Sequence, residues 1–275
     1  MLANLPKSLW FSFIPVTLLS TLAVVLLANG TISPLYLIAT AIMWCLISGL
    51  GIAVGYHRVF SHRTHTLPVW KENIILFFAA LAGQGSSIFW VAVHRGYHHP
   101  HSDTDRDLHS PITKGIWGSF FGWTTKITDN TSHLVNIKYA VDLAAKPNHV
   151  WFNKHVFKIM WAVPAVVAIF DWKLALVGIC LATGIGLMQD NTVNVLGHLK
   201  GLIGYRNFNT KDNSQNNFLL GYLGWGQGWH NNHHHSPKLY DFGTSVSGKW
   251  WEYDPCRLWL PFLGKPNAGA VSITS

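Results

Sequence analysis

Charged side chains are scarce in this sequence: Asp, Glu, Lys and Arg together make up 12% of its 275 residues. Of these, 20 are basic and 12 are acidic, which gives a formal net charge of +8 at neutral pH. The basic residues are scattered and form no nucleic-acid-binding motif, so we expect no nucleic-acid partner. A membrane protein whose polar side faces the cytoplasm explains the positive excess more simply.

Cysteine is equally rare. Cys45, Cys180 and Cys256 are far apart in the chain and form no Cys-x-x-Cys pair. The pattern indicates neither a disulfide framework nor a cysteine-rich iron–sulfur site. The sequence also has no fused haem domain and no GxGxxG turn that opens a helix after a strand. We therefore expect any redox chemistry to depend on electrons from outside the chain.

Long uncharged runs are abundant. No Asp, Glu, Lys or Arg occurs between Ser8 and Tyr56, and about 20 apolar residues suffice to cross a bilayer. A secretory signal peptide is disfavoured for the first run because a second apolar segment follows almost at once. For the later runs, the alternative is a pair of buried helices in a soluble domain. The predicted spans form two hairpins with turns at Asn29–Pro34 and Asp171–Lys173: 8–28, 35–56, 150–170 and 173–190.

The uncharged stretch 73–93 is interrupted by "GQGSS". If it crossed the membrane, the histidine-rich segments on either side of it would face opposite compartments. We therefore predict an interfacial or re-entrant helix here. Most Lys and Arg then lie on the histidine side, and the positive-inside rule places that side and both termini in the cytoplasm.

The prediction for the whole chain is an all-α membrane protein that forms a single domain over residues 1–275. It has four transmembrane helices, the interfacial helix and a cytosolic helical cap that holds a di-metal site. The cytosolic regions are 57–149 and 191–275.

Sixteen histidines outnumber the acidic residues, and most of them fall in three segments. These are "GYHRVFSHRTH" (Gly55–His65), "HRGYHHPH" (His94–His101) and "HNNHHH" (His230–His235). Imidazole is the commonest metal ligand in proteins. Eight or nine ligands exceed one tetrahedral zinc site and suit two metal ions. The absence of repeated Glu-x-x-His motifs argues against a ferritin-type carboxylate bundle.

Spacing supports this interpretation. His94 and His98 are four residues apart and would share one face of a helix. The third segment carries an i, i+3, i+4 stripe. His57 and His62 are five apart, which aligns poorly on a straight helix, but they could still converge where a helix end unwinds. A single histidine pair on an apolar face is more often a packing feature than a ligand pair, but three such segments beside membrane boundaries favour metal binding.

Three segments, "HRVFSH", "HRGYHHPHSDTDRDLHSP" and "GQGWHNNHHHSP", resemble the histidine boxes of the membrane fatty-acid desaturases, especially the acyl-CoA (stearoyl-type) branch. "NVLGH" (Asn194–His198) is similar to a further Asn-x-x-x-His element of that branch. The resemblance runs from about Gly55 to Pro237 with the elements in the same order. In one departure, three residues rather than two separate the first two histidines of the second box.

By position, the resemblance implies a set of metal ligands and no catalytic side chain apart from them. Asn194 matches a residue that reaches the metal through water. The matched histidines are His57, His62, His94, His98, His99, His198, His230, His233 and His234.

Other residues fall outside the matched positions. We interpret His65, His101, His109 and His235 as surface histidines or as supports of the ligands. The aspartates Asp103, Asp105 and Asp107 either orient ligating imidazoles or form a solvated loop. Five tryptophans either line an acyl channel or anchor the chain at the membrane interface: Trp90, Trp117, Trp123, Trp225 and Trp229.

The resemblance implies an O₂-dependent desaturase with two non-haem iron ions, which introduces a cis double bond, most simply of the Δ9 type, into a saturated acyl chain. The expected partners are the lipid bilayer, an acyl-CoA or acyl-lipid substrate, and an external ferredoxin-like or cytochrome b-type electron donor. A related di-iron membrane hydroxylase or alkane monooxygenase is the nearest alternative. A histidine-rich metal transporter or haem membrane protein is more distant, because its ligands should lie at mid-bilayer depth.

Overall fold

The computed structural model describes residues 5–123, 138–201 and 203–270, with the backbone alone for 5–11. Throughout these ranges the regular secondary structure is helical, without a strand, and this confirms the expected all-helical class. The six main helices are α1 Leu5–Ala28, α2 Tyr36–Ser61, α3 Val69–Ala80, α4 Ser87–Val93, α5 Pro147–Phe170 and α6 Leu174–Leu196. Shorter helices complete the polar end: His99–His101, Pro111–Trp117, Val141–Ala144, Phe218–Leu223, His230–His235, Thr244–Ser247, Pro255–Trp259 and Leu260–Leu263.

Three helices are long and apolar enough to cross a membrane: α2 with 26 residues, α5 with 24 and α6 with 23. In α1 the described apolar stretch is the shorter segment Ser12–Ala28. Helix α6 is central, because α1 and α2 both pack against it. Ser20 Oγ of α1 donates to Cys180 O across 3.1 Å, and Thr40 Oγ1 of α2 donates to Val177 O across 2.7 Å.

Two helices extend beyond the predicted spans. Helix α2 continues past residue 56 to Ser61, and α6 continues past residue 190 to Leu196. The sequence prediction stopped at the first charged residues, but both charges are satisfied inside the protein. Arg58 is fully buried and its guanidinium lies 2.8 Å from Asp254. The carboxylate of Asp190 accepts hydrogen bonds from neighbouring glutamine amides.

Helix α2 is α-helical to Trp44 and then continues as a π-helix over Cys45–Ser61. Glycines let α3 approach this segment closely. A Cβ on Gly51 would lie 2.8 Å from Ala79 Cα, and one on Gly55 would lie 2.1 Å from Ile75 Cγ2. Real Cβ atoms do not approach other atoms so closely, so glycine is required at both positions.

The stretch 73–93 does not form one continuous helix. Helix α3 ends at Ala80, and α4 begins at Ser87 after Ser86, whose hydroxyl accepts a hydrogen bond from Phe89 N. Between them, Gly83 and Gly85 have positive φ angles of 72° and 84°, which glycine adopts without strain. The 12 residues of α3 extend about 18 Å at 1.5 Å per residue, which is too short for a bilayer crossing.

The turns before α2 and α6 meet at one end of the molecule, where Tyr36 lies beside Asp171. From there both helices run towards the histidine-rich end. The main core lies among α2, α3, α4 and α5 and includes Tyr56, Leu76 and Phe89. It holds the histidine-bearing ends of α2 and α4 against each other.

Candidate metal centre

Four histidines from three parts of the chain form a first set, which we call set 1: His57, His62, His94 and His233. His57 belongs to α2, His62 follows its last residue, and His94 follows α4. The Nε2 atoms face one another in pairs. The distance is 3.0 Å from His57 to His233 and 2.9 Å from His62 to His94.

A second group of four, set 2, consists of His98, His198, His230 and His234. The Nε2 atoms of His198 and His230 are 2.8 Å apart. The short helix His230–His235 supplies both sets. His233 belongs to set 1, whereas His230 and His234 belong to set 2. Of the predicted ligands, eight therefore fall into two groups of four.

Helical winding, rather than unwinding, brings the five-residue pairs together. The backbone N–H of His62 donates to His57 O across 3.2 Å, which is an i to i−5 hydrogen bond. The N–H of His99 bonds to His94 O in the same way, at the end of the π-helical turn His94–His98. Residues five apart lie one π-turn apart and share a face. His57 and His62 therefore converge through the π-helical turn at the end of α2. His94 and His98 are neighbours, with ring centroids 5.5 Å apart, but they belong to different sets.

The remaining predicted residues lie between or beside the sets. The Nε2 of His99 is 2.9 Å from His233 Nε2, and its ring stacks on His234 with centroids 4.6 Å apart. Asn194 lies one helical turn before His198 and lines the same cavity as His230. Its side chain makes no hydrogen bond to any other described residue, which leaves it free to bind water.

Carboxylates hold three imidazoles of set 2 by Nδ1. His98 lies 3.1 Å from Asp107, and His198 lies 3.1 Å from Asp103. His234 lies 2.8 Å from Asp212. A carboxylate accepts the Nδ1 proton and so leaves Nε2 bare for a metal ion. Of the two interpretations of the aspartate-rich loop, orientation of imidazoles is correct for two of its aspartates, whereas Asp105 is exposed.

Burial sets the protonation state of most of these rings. Burial first, and neighbouring imidazoles second, hold the pKa values of His94, His230 and His233 well below the usual range. Burial also lowers the pKa of His234 to about 4, although Asp212 opposes the shift. At His98, burial opposes protonation but the nearby carboxylates outweigh it, and the pKa is raised. Neutral imidazoles are the form that binds metal ions.

These residues fit metal ions. His234 Nε2 is buried without a hydrogen-bond partner while its Nδ1 is held by Asp212. Two Nε2 atoms that face each other cannot both carry a proton, and at 2.8 to 3.0 Å their lone pairs converge on a common point. A ligand set of neutral nitrogen atoms suits iron, zinc, copper or nickel.

A largely apolar cavity reaches both sets. Phe13, Phe121 and Leu187 contribute apolar walls, and His94 and His98 lie at its metal end. A second, more open pocket also reaches His94 and is lined by Arg63 and other polar residues. Two pockets therefore meet at His94, and the second has the more polar residues in its lining.

A model of the family named "fatty acid desaturase" matches residues 10–259 of the chain. The chain belongs to the fatty acid desaturase family. Membership places it among the oxidoreductases that desaturate fatty acyl chains. The match covers both histidine sets and all of the six main helices except the first five residues of α1.

Curated relatives of this desaturase are named as lipid desaturases. A probable chloroplastic lipid desaturase of Arabidopsis thaliana is 36% identical over 221 residues, which are 79% of this chain and 58% of the relative. The sn-2 palmitoyl-lipid 9-desaturase of a Nostoc species is 33% identical over 216 residues, 76% of this chain and 71% of the relative. The sn-1 stearoyl-lipid 9-desaturase of Anabaena variabilis is 33% identical over 218 residues, 79% and 76% of the two chains. The chain thus spans just over half the length of the Arabidopsis relative.

The histidines outside the matched positions differ in their surroundings. His109 lies beside His98, with ring centroids 4.5 Å apart, and His65 is buried against Tyr240. His235 stacks on Phe208 at the surface and His101 is partly exposed. These four contribute to neither four-histidine set.

The five tryptophans of the desaturase separate into three groups. Trp90 and Trp123 line the cavity, and Trp117 is 69% exposed. Trp225 and Trp229 are buried in side-chain packing, against Trp44 and Tyr222 respectively.

Sequence reasoning missed the residues that hold the ligands from elsewhere in the chain. Asp212 lies 22 residues before His234, in a loop with no motif of its own. Gln227 accepts a hydrogen bond from His57 Nδ1 across 3.2 Å, and its place inside "GQGWHNNHHHSP" was the available signal. Asp190 was interpreted only as the end of a span, although a carboxylate within an apolar helix is itself a functional signal.

Proposed function

We propose that this chain introduces a cis double bond, of the Δ9 type, into a saturated acyl chain of a membrane lipid. The reaction consumes O₂, two electrons and two protons; it removes two hydrogens from adjacent methylenes and forms two molecules of water. The observation that carries the proposal is the apolar cavity that leads to two sets of buried imidazoles.

The proposed cofactors are two non-haem iron ions, one in each histidine set. Iron supplies the oxidation of an unactivated methylene by O₂, a reaction beyond the reach of side-chain acids and bases. The proposed ligands are the nine matched histidines, with Asn194 acting through water. Asp103, Asp107 and Asp212 orient their imidazoles from behind.

The cavity walls would bind and position the substrate. Burial of an acyl chain contributes about 0.8 kcal/mol per CH₂ group, so the apolar lining favours entry of a long saturated chain. Once bound, the chain is held with one carbon–carbon bond beside His94 and His98, and the surrounding aromatic rings exclude water. The distance from the cavity end to these histidines would set the double-bond position.

An acyl-lipid is the preferred carrier of the two that the sequence suggests. Curated relatives from Nostoc and Anabaena are named as palmitoyl-lipid and stearoyl-lipid 9-desaturases. A lipid substrate also reaches an apolar cavity directly from the bilayer. Acyl-CoA would instead approach from water.

We further propose one domain with four crossing helices in two hairpins, and with the histidines and both termini on the cytoplasmic side. The shared position of the turns at Tyr36 and Asp171 supports this topology. Exposed basic residues at the histidine end, such as Arg63 and Lys238, fit the positive-inside rule. A ferredoxin-like or cytochrome b-type donor would deliver electrons to this side.

The test is the fatty-acid profile of a host that lacks its own desaturase, with double bonds located by mass spectrometry in each lipid class. Expression should produce monounsaturated chains in membrane lipids. His233→Ala should abolish them, because His233 lies in set 1, and the matched control His235→Ala should not, because His235 stacks on Phe208 at the surface. About two irons per purified chain should accompany activity.

Other outcomes identify the alternatives. Hydroxylated chains would assign the protein to the hydroxylase branch. Product confined to the acyl-CoA pool would overturn the acyl-lipid carrier. Haem, or no metal, in purified protein that leaves the host profile unchanged would overturn the desaturase proposal.

A further inference from the structure

The two histidine sets are supported differently. In set 2, His98, His198 and His234 each contact a carboxylate directly. In set 1, none of the four imidazoles lies within 4.0 Å of a carboxylate anywhere in the described ranges. A metal site normally has such outer support, because it fixes the tautomer and orientation of each ring. The support of set 1 must therefore reach it less directly.

Asp190 is the carboxylate that can give set 1 such indirect support. It lies in α6, lines the apolar cavity and forms no ion pair with a described Lys, Arg or His. Its oxygens instead accept hydrogen bonds from amide groups. Oδ1 accepts from Gln227 Nε2 across 2.6 Å and from Gln189 Nε2 across 3.3 Å, and Oδ2 accepts from Gln84 Nε2.

The first chain of hydrogen bonds leads to His57. Because Gln227 turns its Nε2 towards Asp190, its Oε1 faces His57 and accepts the Nδ1 proton across 3.2 Å. With the proton on Nδ1, the Nε2 of His57 is bare and faces His233. Asp190 thus selects the ligating tautomer of His57 through one intervening amide.

The second chain leads to His94. Trp90 Nε1, which can only donate, donates to Gln84 Oε1 across 2.9 Å, and this fixes the Gln84 amide with Nε2 towards Asp190. The Trp90 ring stacks on His94 with centroids 5.1 Å apart and an interplanar angle of 21°. Asp190 therefore also holds the ring against which His94 rests.

We propose that Asp190 is the positioning residue of set 1, and that it acts through Gln227 on His57 and through Gln84 and Trp90 on His94. This inference rests on the proposed metal-dependent function. Each chain of hydrogen bonds begins with an amide N–H that donates to a different oxygen of residue 190. Only a carboxylate offers two acceptor oxygens, so only a carboxylate satisfies both chains of hydrogen bonds. The two metal ions then differ in support, with direct carboxylates behind one and a relayed carboxylate behind the other.

Asp190→Asn is a nearly isosteric test. The new Nδ2 donor would face an amide donor, and one glutamine would have to rotate. Rotation of Gln84 would set its Nε2 against the N–H of Trp90. Rotation of Gln227 would satisfy the introduced amide but move the His57 proton to Nε2, the atom that must bind metal. We expect a 10- to 100-fold loss of affinity for iron in set 1, the usual effect of removing an outer-shell partner.

The experiment measures ferrous iron per purified chain in anaerobic chelator titrations, with Mössbauer spectra of ⁵⁷Fe to separate the two sites. Asp190→Asn should lose one iron at low chelator while the second remains. Asp212→Asn should weaken the other site, and Asp105→Asn, at an exposed carboxylate, should match wild type. Asp190→Asn combined with Gln227→Glu should restore the lost iron, because the introduced carboxylate would accept from both the introduced amide and His57.

Two equally held irons and an unchanged spectrum in Asp190→Asn would overturn the inference and leave the proposed function standing. Failure of the double variant to recover iron would also overturn it. If Asp190→Asn yields no folded protein, Gln227→Met decides: retention of the set 1 iron would refute the relay. A wild-type chain that binds no iron would overturn the proposed function and the inference together.

Discussion

Tyr36 Oη donates a hydrogen bond to Asp171 Oδ2 across 2.8 Å and so joins the turns that precede α2 and α6. From these adjoining turns the two helices run side by side to the histidines, α2 ending at Ser61 and α6 at Leu196. The turns and the metal centre are therefore at opposite ends of the molecule.

This arrangement predicts opposite accessibility of the two ends in a membrane. We expect a membrane-impermeant maleimide to label Asn29→Cys in right-side-out vesicles and Lys249→Cys only in inside-out vesicles. Both positions are exposed. The wild-type chain, with its own three cysteines, gives the background. Labelling of both variants from the same side would contradict the proposed topology.

The buried ion pair of Arg58 and Asp254 should be important for stability. Both side chains are fully buried, and the Arg58 guanidinium also packs over the ring of Phe242. Removal of one charge from such a pair costs about 3–5 kcal/mol, so Asp254→Asn should lower Tm markedly in detergent. The control is Arg63→Gln, because Arg63 pairs with Asp142 but is 67% exposed; its expected cost is at most about 1 kcal/mol. Equal Tm shifts would refute the distinction.

Glu72 should make stability depend on pH in a defined direction. Burial opposes its ionisation, but His149, Lys146 and Asn148 outweigh burial and lower its pKa from 4.5 to about 2. A carboxylate with a lowered pKa stabilises the folded state above its unfolded pKa, and this contribution is lost as pH falls through the folded value. Glu72→Gln should therefore lower Tm at pH 7, and its deficit should shrink between about pH 4.5 and about pH 2. A deficit that is constant over this range would exclude the titration as the cause.

Substitution of a residue that lines the cavity should impair desaturation, whereas substitution of a residue that faces away from it should not. Leu187 lines the cavity, whereas Ile185, two residues earlier on α6, is 42% exposed. Leu187→Phe should reduce desaturation of long chains without loss of iron, because the larger ring occupies substrate space. Ile185 faces outwards, so Ile185→Phe should leave both desaturation and iron content unchanged. Product profiles and iron content of the two variants check this; loss of iron in Leu187→Phe would point to damage of the metal centre instead.

The sequence predicted the three long apolar helices and singled out the nine histidines. Hydropathy and histidine spacing can both be read from short segments of the chain. The sequence did not show that the helices continue through Arg58 and Asp190, because the partners of these residues, Asp254 and Gln227, are distant in the chain. Nor does hydropathy distinguish an α-helix from a π-helix. The five-residue spacing of His57 and His62 therefore seemed awkward, although it matches the winding of α2.

His94 lines both the apolar cavity and the second, more open pocket. In the proposed reaction, which consumes both a lipid and a reductant, the lipid would enter through the cavity and the reductant would act from the second pocket. A lipid analogue that fills the cavity would compete with substrate but would leave the path for electrons free. Steady-state kinetics should then follow a sequential scheme, in which both reactants bind before any product is released.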